Sequence, residues 1–177
     1  MRNKFIAIGV AVATLATLAI GVPAQASTGG DADGNLHPDV GLILFYSADG
    51  RYRCSATLVS PTVVVTAAHC TEGTLGKTLV TFTSVIAYQP PSGFPLAANP
   101  ATGFTQAEIE AAGFISGTAY THPAYSGFTD LDNWNDVGVI VLDHPLASNG
   151  AAYPAIAPLG ALGTIAKGDL QIGRAHV

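Results

Sequence analysis

Hydrophobic positions along this chain come in short blocks separated by turn-forming residues. Residues 40–46 (VGLILFY) form a continuous apolar run. The dipeptide Asp49-Gly50 marks a hairpin turn, and residues 51–59 return as a strand. Ser60-Pro61 breaks that strand. Residues 62–66 (TVVVT) are β-branched throughout, a strong local strand signal. Residues 79–88 (LVTFTSVIAY), 114–120 and 137–142 complete the set of predicted strands. Short strands divided by turn signals predict an all-β barrel or sandwich. Strands do not alternate with helices, which argues against a doubly wound α/β fold. One stretch departs from the pattern. Residues 89–100 are Pro-rich and aperiodic, and beyond them Thr105 and Glu108 form a T-x-x-E capping box, with Gly113 as a stop signal. The spacing predicts a short surface helix over residues 105–112, inside a long loop. No internal repeat is visible.

The first residues have a different character. Arg2 and Lys4 precede an apolar run over residues 5–22, which exits through Pro23-Ala24-Gln25-Ala26. A charged start, apolar middle and small-residue Ala-x-Ala exit predict a secretory signal peptide over residues 1–26. The alternative is a membrane anchor, since a run of this length could just span a bilayer. No basic cluster follows the run, which favours cleavage. Residues 27–35 (STGGDADGN) then read as a flexible mature N-terminus, and the protein is expected to be secreted, with no membrane role after cleavage.

Composition narrows the function classes. The 177 residues are 49% hydrophobic and 11% charged, which excludes an intrinsically disordered chain. The 20 Gly and 11 Pro follow no period of three, which excludes a collagen-like chain. Seven Lys and Arg stand against twelve Asp and Glu, a net charge of −5, and the predicted signal peptide takes away two of the basic residues. So acidic a chain is a poor nucleic-acid binder, because phosphate contacts need clustered Lys and Arg.

Chemistry concentrates in residues 54–70 (CSATLVSPTVVVTAAHC), where a strand runs into a tight turn that carries His69 between small residues. The chain has two cysteines, Cys54 and Cys70. In an exported protein an even pair reads first as a disulfide, worth about 3 kcal/mol for a loop of this size in the chain-entropy model. The competing reading takes Cys54, His69 and Cys70 as metal ligands. Structural zinc sites use four ligands in paired spacings absent here, so no metal is expected. A general base must keep a fixed orientation, and a bridge at the neighbouring residue serves that need.

This block resembles the active-site histidine region of the chymotrypsin-like (trypsin-like) serine proteases. The likeness covers both cysteines, the strand between them and Thr66-Ala67-Ala68-His69-Cys70. Asn135-Asp136-Val137-Gly138-Val139-Ile140-Val141-Leu142 is similar to the family's Asp segment, in which an Asp opens a buried strand. His122-Pro123-Ala124-Tyr125 is similar to a His-Pro-x-Tyr segment that precedes it. The resemblance implies His69 as general base and Asp136 as the acid that fixes its tautomer and stabilises the imidazolium. It implies a protein or peptide substrate and no cofactor. The apolar residues after Asp136 predict a buried carboxylate, tolerable only if hydrogen-bonded.

Two features depart from the family. Its nucleophilic Ser sits in Gly-Asp-Ser-Gly-Gly, and this chain has no such string; Gly168-Asp169 is followed by Leu170. Ser84, Ser92, Ser116, Ser126 and Ser148 lie in unrelated contexts. The new Ile-Val-Gly-Gly terminus of the family's zymogens also has no counterpart in residues 34–41. Family members consist of two six-stranded barrels with the triad between them. The resemblance therefore implies an antiparallel Greek-key barrel of chymotrypsin type, mainly the N-terminal barrel of a two-barrel fold. Residues 36–158 would form that barrel, with an insertion at residues 88–113. Residues 159–171 would begin the second barrel. Residues 172–177 (IGRAHV) resemble translated sequencing adapter and read as a non-native tail.

Other candidates are weaker. Asp130, Asp132 and Asp136 hint at a calcium loop but lack the Gly and distal Glu of a helix-loop-helix site, so a solvated loop is expected. Asp143-His144-Pro145 reads as a surface turn, and Trp134 as core or lid. The expected function is that of a secreted serine endopeptidase, represented by a piece that lacks the nucleophile and is inactive alone. The first alternative is a secreted non-catalytic homologue that acts as a binding module. The second is an unrelated β-barrel with an incidental His-Cys block, which two free thiols would indicate.

Overall fold

The computed structural model describes residues 34–84, 86, 93–130, 132–150 and 152–161. The expected signal peptide and tail, and most of the expected flexible N-terminus and second-barrel start, lie outside them. Among the described residues the strands are β1 (Val40–Ser47), β2 (Gly50–Ser60), β3 (Val63–Thr66), β4 (Leu75–Thr81), β5 (Ile115–Thr121) and β6 (Gly138–Leu142). All pair antiparallel and close into a barrel in the order β1-β2-β3-β6-β5-β4. The meander β1–β3 is followed by β4 beside β1, which is the Greek-key connection expected for a chymotrypsin-type barrel. No described helix is long and apolar enough to cross a membrane.

The period of two in β1 explains the core. Ile43 and Phe45 point into the barrel with Ala56, Leu58, Val64, Val80, Ile140 and Leu142. Leu44 and Tyr46 point outward, yet they are buried too, with Leu79, under Ala97, Phe104 and Ile109 of the long β4–β5 connection. Both faces of β1 are therefore covered, and this is why its sequence shows no alternation.

Among its described residues the covering segment carries one helix, α1 (Gln106–Ala111). Its capping box forms as the sequence predicts: the Glu108 backbone N–H donates to the Thr105 hydroxyl, and the Glu108 carboxylate accepts from the Thr105 N–H at 2.7 Å. The same carboxylate accepts from the Ala98 N–H, and Tyr46 accepts from the Ala97 N–H, so the loop is fastened to helix and barrel alike.

One strand falls elsewhere than expected. The sequence predicts it over residues 79–88, but β4 begins at Leu75 and ends at Thr81. Gly76 and Lys77 are weak strand formers and hid its start. Tertiary pairing overrides them: the Lys77 N–H donates to the Phe104 carbonyl at 2.8 Å, and Gly76 takes a left-handed φ of 63° against the Phe104 backbone.

Candidate active site

The register of the β3–β6 pair brings the two singled-out residues together. Thr66, the last residue of β3, pairs with Gly138, the first of β6. His69 lies just after the one strand end and Asp136 just before the other. A separation of 67 residues along the chain is thereby closed by adjacent strand ends. Gly138 makes the approach possible, because a Cβ there would sit 2.6 Å from the Thr71 hydroxyl and 2.8 Å from the Ala67 carbonyl.

His69 occupies the middle of a single 3-10 turn, Ala68–Cys70. Ala68 and Cys70 are buried, which turns the imidazole outward, and its side chain is 50% exposed. The bridge Cys54–Cys70 ties this turn to β2, with Cα atoms 6.3 Å apart. Thr71 adds a second fastening: its hydroxyl donates to the Ala68 carbonyl at 2.9 Å and meets the Thr121 hydroxyl. Both cysteine sulfurs are consumed by the bridge, so the metal reading of Cys54, His69 and Cys70 loses its thiolates.

Asp136 grips His69 twice. One carboxylate oxygen accepts from the His69 backbone N–H at 2.9 Å, and the other lies 2.8 Å from Nδ1 of the ring. Partial burial pushes the Asp136 carboxyl up. Hydrogen bonds from the His69 N–H and ring, the His69 charge and the Ala68 N–H outweigh it and hold the group below the usual aspartate range. The carboxylate is less buried than the sequence predicts, at 23% exposure. It lies ahead of β6, in the loop beside the exposed Val137, rather than among the inward-facing Gly138, Ile140 and Leu142 of the strand.

The loop between β5 and β6 closes on itself beside this pair. The His122 N–H donates to the Val137 carbonyl at 3.1 Å, and the Asn135 amide donates to the Ala124 carbonyl at 3.1 Å. Asn135 and Phe128 both take left-handed backbone, with φ of 48° and 63°. Asn tolerates this conformation; for a bulky Phe it costs about 1–3 kcal/mol and persists only where packing holds it. The Phe128 ring centroid lies 5.9 Å from that of His69, and Tyr125 and Trp134 meet the same ring edge-on at 5.6 and 5.4 Å. Trp134 is half exposed, on the surface side of this cluster rather than in the core.

The disulfide at the histidine turn, the Asp at the mouth of β6 and the six-stranded Greek-key barrel that joins them agree with a family model described as Trypsin, which matches residues 35–161. The chain belongs to the trypsin family. Several solved structures resemble this trypsin-family chain. A structure titled HL collagenase is 18% identical with a TM-score of 0.43, covering 65% of this chain and 40% of the other. The VesB protease of Vibrio cholerae is 19% identical with a TM-score of 0.40, covering 72% and 32%. A thermostable serine protease, AL20, from an extremophilic microorganism is 18% identical with a TM-score of 0.38, covering 64% and 44%. The chain thus spans less than half the length of these proteins. No curated protein matches it.

Several residues around the site escaped the sequence reading. Phe128 carries no local signal beyond Gly127 before it. Asp143, expected in a surface turn, is instead largely buried at 16% exposure and paired with Lys77 at 2.5 Å. It also accepts from the Ser116 hydroxyl, and Lys77 donates to Thr118. His144 does lie on the surface, 3.2 Å from Glu110 of α1. Asp130, in the region weighed as a calcium loop, accepts from the Asp132 and Asn133 backbone N–H groups as a local turn.

Proposed function

We propose that this chain is the N-terminal barrel of a secreted serine endopeptidase. His69 acts as general base and Asp136 as its orienting acid. The observation that carries the reading is the contact of Asp136 with Nδ1 of His69 at 2.8 Å, reinforced by the backbone N–H of the same histidine. With Nδ1–H held by the carboxylate, Nε2 keeps a free lone pair on the exposed side of the ring. That nitrogen can take a proton from a hydroxyl and return it to a leaving amine.

In this reading the nucleophilic Ser belongs to sequence beyond this chain, in a second barrel of which residues 159–171 are the start. That Ser attacks the peptide carbonyl, His69 shuttles the proton, and water releases the acyl-enzyme. Residues 1–26 serve as the signal peptide and residues 27–35 as a flexible mature terminus. Residues 36–158 form the barrel, and residues 172–177 are a non-native tail. The disulfide supports an oxidising, extracellular setting. The substrate is a protein or peptide.

The test is to clone the reading frame past residue 171 and assay its product. Peptide hydrolysis and labelling by a serine-directed phosphonate are expected for the longer product and not for the present chain. Labelling of the present chain would overturn the proposal. A downstream Gly-Asp-Ser-Gly string with its Ser substituted would instead favour a secreted binding module.

A further inference from the structure

We infer that Phe128 is a positioning residue for His69, holding the imidazole in the rotamer that faces Nδ1 toward Asp136. The inference rests on the reading of His69 and Asp136 as base and orienting acid. The imidazole is half exposed, and its flanking residues Ala67, Ala68 and Cys70 are too small to wall it laterally. Asp136 fixes one edge of the ring, but a hydrogen bond at one edge leaves rotation toward solvent open. The neighbouring aromatic that can oppose this rotation is Phe128, tilted 45° to the imidazole at 5.9 Å.

Three observations make Phe128 a held wall rather than a loose neighbour. Its backbone sits in the left-handed region, which a Phe does not adopt without compensation. Tyr125 and Trp134 both contact its ring edge-on, at interplanar angles of 89° and 79°. The loop base is fastened on either side of Asp136, through Asn135 to Ala124 and through Val137 to His122. The same short segment therefore carries the acid and the wall. Tyr125 is also desolvated and faces the negative charge of Asp136 and then that of Glu72, which push its phenol above the usual range. The aromatic group thus lies against the base, and one of its members feels the charge of the acid.

The experiment uses the full chain and ring-nitrogen NMR correlation spectra, which report the His69 tautomer and the exchange of its Nδ1 proton. In the unsubstituted chain the proton is expected on Nδ1, facing Asp136. In Phe128→Ala that proton should exchange about five- to tenfold faster, the scale of one lost aromatic contact. Amide protection in β6 should stay unchanged. Phe128→Tyr and Phe128→Trp should restore slow exchange, and Trp134→Ala should show a smaller acceleration than Phe128→Ala. Exchange in Phe128→Ala equal to the unsubstituted chain would overturn the inference, as would acceleration that tracks an equal loss of β6 amide protection. Asp136→Asn separates this from the underlying reading: if it leaves the tautomer and exchange unaltered, the His69–Asp136 pair itself fails, whatever Phe128 does.

Discussion

Strand β6 is flanked by two carboxylates, Asp136 just before it and Asp143 just after it. Both are partly buried, both pair with a basic side chain, and both are held below the usual aspartate range. For Asp143, burial raises the pKa but the hydrogen bonds from Lys77 and Ser116 and the Lys77 charge outweigh it. The partners differ. Asp136 holds a half-exposed imidazole that is open to solvent. Asp143 holds a lysine amine whose side chain is shielded between strands, where it also donates to Thr118. The same acid chemistry therefore faces a solvent-accessible imidazole at one end of the strand and a shielded lysine at the other. What separates them is the partner and its solvent access, not the carboxylate.

Substitution should split the two ends cleanly. In a longer product that carries the proposed nucleophile, Asp136→Asn should lower kcat for peptide hydrolysis by about four orders of magnitude, the scale of losing the orienting carboxylate of a Ser-His-Asp triad. Thermal unfolding should move little, because the change is isosteric at a partly solvated pair. A fall of less than tenfold would remove the distinction between the ends.

Asp143→Ala should do the reverse. Left without its partner, Lys77 becomes a shielded, unpaired cation. A loss of about 2 kcal/mol is expected in denaturant unfolding, discounted from the buried limit for residual exposure. Lys77→Met with Asp143→Leu should recover most of it, since a well-packed apolar pair removes both charges.

Acid titration sharpens the comparison further. A depressed folded-state pKa means that the stabilisation is fully present above the ordinary aspartate value of 3.8 and is lost as pH falls through the folded value. The chain should therefore lose stability steeply below that pH. Asp136→Asn and Asp143→Asn should each flatten the acid limb of a stability-versus-pH curve by up to about one proton. The smallest effect belongs to the exposed His144–Glu110 contact near the Asp143 end. Glu110→Gln should change stability by less than about 0.5 kcal/mol, and the change should vanish in about 1 M salt.

Much of the fold was legible because local and tertiary preferences agree. β3 is Val-rich and is a strand; Thr105 and Glu108 spell a helix start and form one. β4 departs from the expected range where they disagree, since Leu75 pairs with Tyr46 of β1 and the Lys77 N–H donates to Phe104 of the distant loop. The second apolar cluster was invisible for a related reason. Ala97, Phe104 and Ile109 follow no common period, and only the folded loop sets them against the outer face of β1. At the site, residues 69 and 136 stood out through their flanking strings, which mark strand ends. Lys77, Asp143 and Phe128 carry no such strings, so no one-dimensional pattern connects Lys77 with Asp143 or Phe128 with His69.

The two-sided burial of β1 bears on how such a chain could be shortened. Read as a line of text, the segment after β4 looks like decoration that a smaller relative dispenses with. Cutting residues 93–113 would strip the roof from Leu44, Tyr46 and Leu79 and leave a greasy strip of sheet open to any neighbour. A minimal version would need those three positions rewritten with polar residues in the same step, or it would precipitate before its chemistry could be assayed.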